Sequence, residues 1–234
     1  MIKAIVFDFD HTLYDRSKTF AAATDDFIAL CGDRLRPELS REEITALICR
    51  SDYEGVYNGA WKKSYQLLAD YGIYREEPLP YEIYHDDFVR GAFPRAIKLF
   101  EDTVDTLKAL RAEGYRLGML TNGYIKYQTD KLQTNPEILP YFDVIRISEE
   151  IGYQKPHPRA FLDLSGRLGL KPHEIAFVGD NPISDICGAR SIGMLPIWMR
   201  YVKEWQDCIT PPPYSIDRLS ELPLLLRKIN GRSE

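Results

Sequence analysis

The stretch that most restricts the fold is Ile2-Lys3-Ala4-Ile5-Val6-Phe7, which runs directly into Asp8-Phe9-Asp10-His11-Thr12. Side chains along a strand point alternately to opposite faces. An apolar run with little alternation therefore needs cover on both faces, as in parallel sheets flanked by helices. The run ends on two carboxylates two residues apart, which an extended backbone turns to one side. Such close like charges repel, so keeping them at the end of the most hydrophobic strand calls for a chemical reason.

Three more apolar runs, YRLGMLTNG, DVIRIS and EIAFVGD, read as buried strands, and MLPIWM is a shorter fifth. Phe100, Val104, Leu107 and Leu110 recur at helical spacing before Gly114, as do Phe161, Leu164 and Leu168 before Gly169. This alternation predicts an α/β fold with a Rossmann-like parallel sheet. Residues 16–93 are too many for a single crossover and read as several helices. Ser40-Arg41-Glu42-Glu43 offers a capping box ahead of Ile44, Leu47 and Ile48. Trp61, Tyr65 and Leu68 form the next stripe, up to Gly72, and Pro78 and Pro80 precede a helix around residues 83–89. The expected organisation is a core of residues 1–15 and 94–234, with a small helical domain, 16–93, inserted after the first strand. PPPY at 211–214 reads as a rigid connector to a short terminal strand and helix.

Composition narrows the partners. The formal net charge of −5 argues against nucleic acid, whose binders show basic surfaces. No run of about eighteen apolar residues predicts a membrane span, and the N-terminus lacks the basic-plus-apolar pattern of a secretory signal. A cytoplasmic protein, monomer or homodimer, is expected. Cys31, Cys49, Cys187 and Cys208 have no metal-ligand spacing and read as reduced space-fillers.

Ligands of open parallel sheets bind beyond the carboxyl ends of the strands. Three of the proposed strands end there in polar residues: Asp8 and Asp10, then Thr121-Asn122-Gly123, then Gly179-Asp180-Asn181. Lys155 lies in the loop GYQKPHP after another. In this order DFDHTL, TNG, KPHP and GDNPISD resemble the four motifs of the haloacid dehalogenase-like hydrolases, in the subgroup with a helical cap between the first and second motifs. The resemblance spans nearly the whole chain. Closer in, the sequence is similar to pyrimidine nucleotide phosphatases and sugar-phosphate phosphatases.

The resemblance and the residue chemistry assign the same roles. Asp8 is the expected nucleophile, giving an aspartyl-phosphate and splitting one hard displacement into two easier ones. Asp10 is the expected general acid and then base, because proximity to Asp8 should raise one pKa of the pair. Dehalogenating members lack this second aspartate, so its presence favours phosphate chemistry. Thr12 should hold the turn and orient Asp10, whereas His11 is given no catalytic task. Thr121, with the backbone N–H groups of Asn122 and Gly123, should cradle the phosphate. Lys155 should contact both Asp8 and the phosphoryl oxygens.

A phosphate dianion nearing Asp8 meets repulsion of about 4 kcal/mol per pair of unit charges at 4 Å, for an effective dielectric near 20. Asp180 and Asp185 add to it. A cation is needed, and Mg2+ suits oxygen ligands, waters and phosphate. Asp8 and Asp180 are expected as side-chain ligands, and the resemblance adds the Asp10 carbonyl. Asp185 and Asn181 are expected behind them, orienting Asp180 and metal-bound water. Asn181-Pro182 reads as an N-cap followed by proline at the first helical position, turning a helix N-terminus toward the anion.

The insert is rich in rings, with Tyr53, Tyr57, Trp61, Tyr65, Tyr71, Tyr74, Tyr81 and Tyr84. Their spacing favours packing inside the helical domain, with stacking on a substrate as the other reading. Asp15 and Arg16 stand where the chain leaves the core, as hinge or substrate contacts. The expected activity is a magnesium-dependent phosphatase acting on a small phosphorylated metabolite, a nucleotide or a sugar phosphate. Phosphoryl transfer of the mutase type and a catalytically silent phosphate-binding regulator are the alternatives.

Overall fold

The computed structural model describes residues 1–56, 61–201, 205 and 210–231. Six parallel strands form one sheet: β1 (Ala4–Phe7), β2 (Arg116–Thr121), β3 (Val144–Ile147), β4 (Ile175–Gly179), β5 (Leu195–Met199) and β6 (Tyr214–Ile216), in the order β3-β2-β1-β4-β5-β6. The five apolar runs supply the first five strands, and the connector after residue 211 leads to the sixth. All four β1 side chains are fully buried. Burying a Val, Ile or Phe side chain is worth roughly 1.5–3 kcal/mol, which explains why this segment takes the middle of the sheet. Ala4 and Val6 pack into a cluster with Phe161, Leu164 and Leu168 from the helix Pro158–Leu168, the stripe read from the sequence. On the opposite face the Phe7 ring meets Phe142 edge-on at 6.3 Å.

The topology places the site. β1 pairs with β2 on one side, Phe7 opposite Met119, and with β4 on the other, Phe7 opposite Val178. The chain moves outward from β1 through β2 to β3, then crosses back to β4. Such a reversal of strand order leaves a crevice at the carboxyl ends, where ligands of open sheets bind. Neighbouring strands lie about 4.8 Å apart, so residues ending β1, β2 and β4 are brought side by side. The Asp8 N–H still donates to the Val178 carbonyl at 2.9 Å, which fixes the carboxylate at the sheet edge.

One helix starts later than its apolar stripe suggests. It runs Thr103–Ala112, and Phe100 precedes it, its N–H donating to the Leu13 carbonyl at 3.0 Å. Phe100 therefore serves the return of the chain to the core, where Tyr14 and Leu99 form an antiparallel bridge and the Phe100 ring packs on Tyr201 at 4.7 Å.

The chain forms two compact units, Met1–Asp15 with Leu99–Glu234, and Arg16–Lys98. The second is helical, with Arg16–Cys31, Arg41–Val56, Trp61–Asp70 and a continuous run over Tyr81–Ile83, Tyr84–Ala92 and Phe93–Arg95. The expected insert closes at residue 93, five residues short of this unit's end. Phe93 is buried in the unit, its ring 4.4 Å from Phe20 and 6.1 Å from Trp61, and the next residues stay with it because the N–H groups of Ala96 and Ile97 bond back to the Phe93 and Pro94 carbonyls. The capping box forms as expected: the Ser40 N–H donates to Glu43 Oε2 at 2.8 Å and the Glu43 N–H to Ser40 Oγ at 3.2 Å. Trp61, Tyr74 and Tyr84 are buried within the unit, Tyr53 is exposed, and Tyr57 lies outside the described residues. Arg16 is an interior group here, its guanidinium paired with Asp52 at 2.7 Å among the rings of Phe20, Trp61 and Phe93. Cys31 and Cys187 are free thiols, Cys49 Sγ lies 3.8 Å from the Ser17 carbonyl, and Cys208 lies outside the described residues. No helix among the described residues is long and apolar enough to cross a membrane.

Candidate active site

His11 adopts a left-handed conformation with φ 61°, which is uncommon for a residue with a side chain and marks a backbone held by its surroundings. This turn carries the chain from Asp10 to Tyr14. Asp8 is buried, and the Lys155 ammonium donates to its Oδ1 at 2.6 Å. Thr12 Oγ1 lies 3.3 Å from Asp8 Oδ2. The hydroxyl expected to orient Asp10 thus faces Asp8, because the Thr12 N–H turns back to the Phe9 carbonyl at 3.3 Å.

Lys155 is 4% exposed and also reaches Asp185 Oδ1 at 2.8 Å. Burial alone would push its pKa down, but the Asp185 and Asp8 carboxylates prevail and hold it above the ordinary lysine value. Its loop is clamped by Asn122. The side-chain amide donates to the Lys155 carbonyl at 2.9 Å, and its Oδ1 accepts the Lys155 N–H at 2.8 Å. Asn122 therefore links the second motif to the third through its side chain, a role that the backbone-cradle expectation misses. The Gly123 N–H, expected to face phosphate, donates instead to Ser148 Oγ at 3.0 Å. That removes one of the two backbone donors assigned to the cradle, because Ser148, at the end of β3, reaches it first.

Asp180 and Asp185 complete the acidic side. Asp8, Asp180 and Asp185 each offer a carboxylate oxygen, all within 4.8 Å of one another, and all three residues are buried. Burial, followed by the Asp185 and Asp8 charges, raises the Asp180 pKa well above 3.8. Burial is also the leading cause for Asp8, raised to about 6, with Lys155 opposing, Asp185 adding and Asp10 contributing least. For Asp8, desolvation thus matters more than the mutual repulsion read from the spacing. Asp185 is positioned by the Asn181 N–H at 3.0 Å. The Asn181 side chain caps the short helix Pro182–Cys187, its Oδ1 accepting the N–H groups of Ile183 and Ser184 at 3.0 Å each. The Asp180 carbonyl accepts from Trp198 Nε1 at 3.0 Å.

Gly179 is the residue that admits Asp185, since a Cβ there would fall on the Asp185 carboxyl group. Gly179→Ala is expected to cost about 1–3 kcal/mol through overpacking, read as a lower urea midpoint. A midpoint equal to that of the parent protein would show that Asp185 can move aside.

Asp10 has its own cation. Lys131, 4% exposed, donates to both Asp10 oxygens at 2.8 and 2.7 Å. Tyr14 Oη donates to Oδ1, and Gln128 Nε2 lies 3.2 Å from Oδ2. Each aspartate of the pair therefore faces its own lysine, and the bare repulsion is offset from both sides. Lys131 and Gln128 escape a motif-based reading because they lie on the helix Ile125–Gln133, beyond the end of the TNG motif. The trace in the sequence is their spacing, three residues apart and so on one helix face, which any solvated helix face shares.

The matching family model, haloacid dehalogenase-like hydrolase, covers residues 2–193. The chain belongs to this family. Within it, the hydrolase is 35% identical to a glyceraldehyde 3-phosphate phosphatase of Methanopyrus kandleri, over 98% of this chain and 99% of the relative. Its fold matches an HAD phosphatase from Thermococcus onnurineus with a TM-score of 0.65 at 28% identity, covering 99% of each chain. The L-2-haloacid dehalogenase of Xanthobacter autotrophicus aligns with a TM-score of 0.73 over 97% of this chain and 99% of its own, and at 19% identity it shares the fold alone. The hydrolase carries Asp10 two residues after Asp8, the feature expected of phosphate rather than halide chemistry.

Proposed function

We propose that this hydrolase is a magnesium-dependent phosphatase that acts on a small phosphomonoester through an aspartyl-phosphate on Asp8. The observation that carries the reading is the Lys155 ammonium, buried and bonded at once to Asp8 and Asp185. It fixes a nucleophilic oxygen beside a positive charge able to meet a phosphoryl oxygen. In the first step Asp8 Oδ attacks phosphorus, the bond to the leaving oxygen breaks with its electron pair, and that oxygen takes a proton from Asp10. In the second step water gives its proton to Asp10 and attacks phosphorus, and the Asp8–phosphorus bond opens to return the carboxylate and inorganic phosphate. Thr121 donates to the phosphoryl group in both steps, from a position already set before the substrate arrives.

The donor set fits a hard cation. Three buried carboxylates against one ammonium leave two net negative charges, and only oxygen is offered, as magnesium prefers. Asp8 and Asp180 would hold the ion with the Asp10 carbonyl, and Asp185 adds a third carboxylate beside them. The bound ion would supply the positive charge that lets a phosphate dianion enter.

A sugar phosphate is the proposed substrate class, with a triose phosphate first, in keeping with the name of the Methanopyrus relative. The test is phosphate release from triose phosphates, other sugar phosphates and nucleoside monophosphates in the presence of magnesium. Release of inorganic phosphate, greatest with the sugar phosphates, is expected. An isomerised phosphosugar without phosphate release would favour a mutase, and no turnover across the panel would overturn the enzymatic reading.

A further inference from the structure

We infer that Gln128 is a positioning residue that sets the direction of the Thr121 hydroxyl and ties it to Asp10, an inference that rests on the phosphoryl-transfer reading above. Gln128 is 2% exposed, one turn into the helix Ile125–Gln133. The two N–H groups of its Nε2 are shared among Thr121 Oγ1 at 2.7 Å, the Asn122 carbonyl at 2.7 Å and Asp10 Oδ2 at 3.2 Å. A carbonyl only accepts. The amide is therefore held with nitrogen toward the site, because the opposite orientation would set Oε1 against the Asn122 carbonyl.

That orientation has a consequence for Thr121. A hydroxyl has one O–H to donate and two lone pairs to accept with. With one lone pair occupied by Gln128, the Thr121 O–H cannot point along that direction, and the Gln128 bond is its one hydrogen bond among the described residues. The proton is left to point at an incoming phosphoryl oxygen. Without the amide, the hydroxyl is free to rotate and donate to the Asn122 carbonyl or to Asp10, and substrate would meet a lone pair.

Two independent features support a functional glutamine over a space-filling one. Gln128 Oε1 is buried and makes no hydrogen bond among the described residues. Such unpaired buried acceptors are few in native proteins and call for an explanation, and methionine would fill a similar volume without one. Gly123 is the second feature. At φ 142° it lies against the amide, and a Cβ there would meet Gln128 Cγ and Nε2 at 3.2 Å. The glycine of TNG thus gives room to the side chain that orients the threonine of TNG.

The test is a double-mutant cycle with 4-nitrophenyl phosphate and magnesium, measuring kcat and KM for Gln128→Met, Thr121→Val and the double variant, with a melting curve for each. Gln128→Met is expected to lower kcat about 10–100-fold with KM nearly unchanged, the scale of a misplaced transition-state donor. The double variant should lose far less than the product of the single losses, because Gln128 acts largely through Thr121. Losses that simply multiply, or a Gln128→Met variant with the parent kcat, would overturn the inference while a damaged Thr121→Val left the phosphatase reading standing. If Thr121→Val itself keeps the parent kcat, the role given to Thr121 falls and the inference with it. Gln128→Glu, which keeps the shape but puts an acceptor where the donor was, is held to the same criteria should Gln128→Met not fold.

Discussion

Asp8→Asn is expected to lower kcat by at least about 10³-fold, the scale seen when a covalent nucleophile is removed, yet to leave the chelated protein more heat-stable at pH 8. The first half follows from chemistry, since an amide oxygen cannot form the proposed acyl-phosphate. The second follows from burial. Asp8 has its pKa raised from 3.8 to about 6, with desolvation as the leading cause. A carboxyl group whose folded pKa lies above its unfolded value stabilises the fold fully below pH 3.8 and loses that contribution as pH climbs through about 6. At pH 8 the ionised side chain is a net burden on the metal-free fold, on the order of 3 kcal/mol at most. Asparagine does not carry it. Lys155 is not orphaned by the change, because Asp185 still faces it at 2.8 Å. Thermal melts in EDTA at pH 8 and pH 5 check this: the variant should lead at pH 8, and the gap should narrow at pH 5. A variant that keeps more than a few per cent of activity would remove Asp8 as nucleophile. One that melts lower than the parent at pH 8 would show that the ion pair outweighs desolvation.

The same balance explains what could be read from the chain beforehand. Fold class was legible because near-continuous apolar runs such as Ala4–Phe7 have few ways to be buried, and their alternation with helical stripes dictates a covered parallel sheet. The residues at the strand ends were legible because sheet order gathers them: Asp8, Thr121 and Asp180 follow from β1, β2 and β4 lying next to one another. Partners were less legible. That Thr12 faces Asp8, that the Gly123 N–H goes to Ser148, and that Asn122 grips the backbone of Lys155 are decided by a few ångströms of tertiary placement, for which a motif has no code. Lys131 and Gln128 went unread for a related reason. On a helix surface a lysine and a glutamine are ordinary solvated residues, and only the packing of Ile125–Gln133 beside Asp10 turns them inward. Residues 94–98 show the limit for boundaries, since a helix end whose Ala96 and Ile97 N–H groups turn back on Phe93 and Pro94 has no signature in the sequence.

Chelation should silence the enzyme and magnesium should restore it, with a matching rise in stability. With EDTA, turnover is expected to fall to background. Asp8, Asp180 and Asp185 hold their oxygens within 4.8 Å of one another with Lys155 as the ammonium bonded to two of them. Burial drives up the pKa of both Asp8 and Asp180, the response of carboxylates short of compensating charge. A phosphate dianion would have to enter against that excess. The same deficit predicts a thermodynamic effect without substrate. A ligand that binds the folded state alone stabilises it by about 2.7 kcal/mol at one hundred times its dissociation constant, so magnesium titrated into chelated protein should raise the melting temperature and saturate. Asp180→Asn separates this from a general salt effect. It removes a proposed ligand and part of the repulsion together, so the chelated variant should melt no lower than the parent and gain much less from magnesium. Activity indifferent to EDTA, or an Asp180→Asn variant that responds to magnesium as the parent does, would mean that the three carboxylates are balanced in another way and that the phosphate reaches Asp8 without a metal ion.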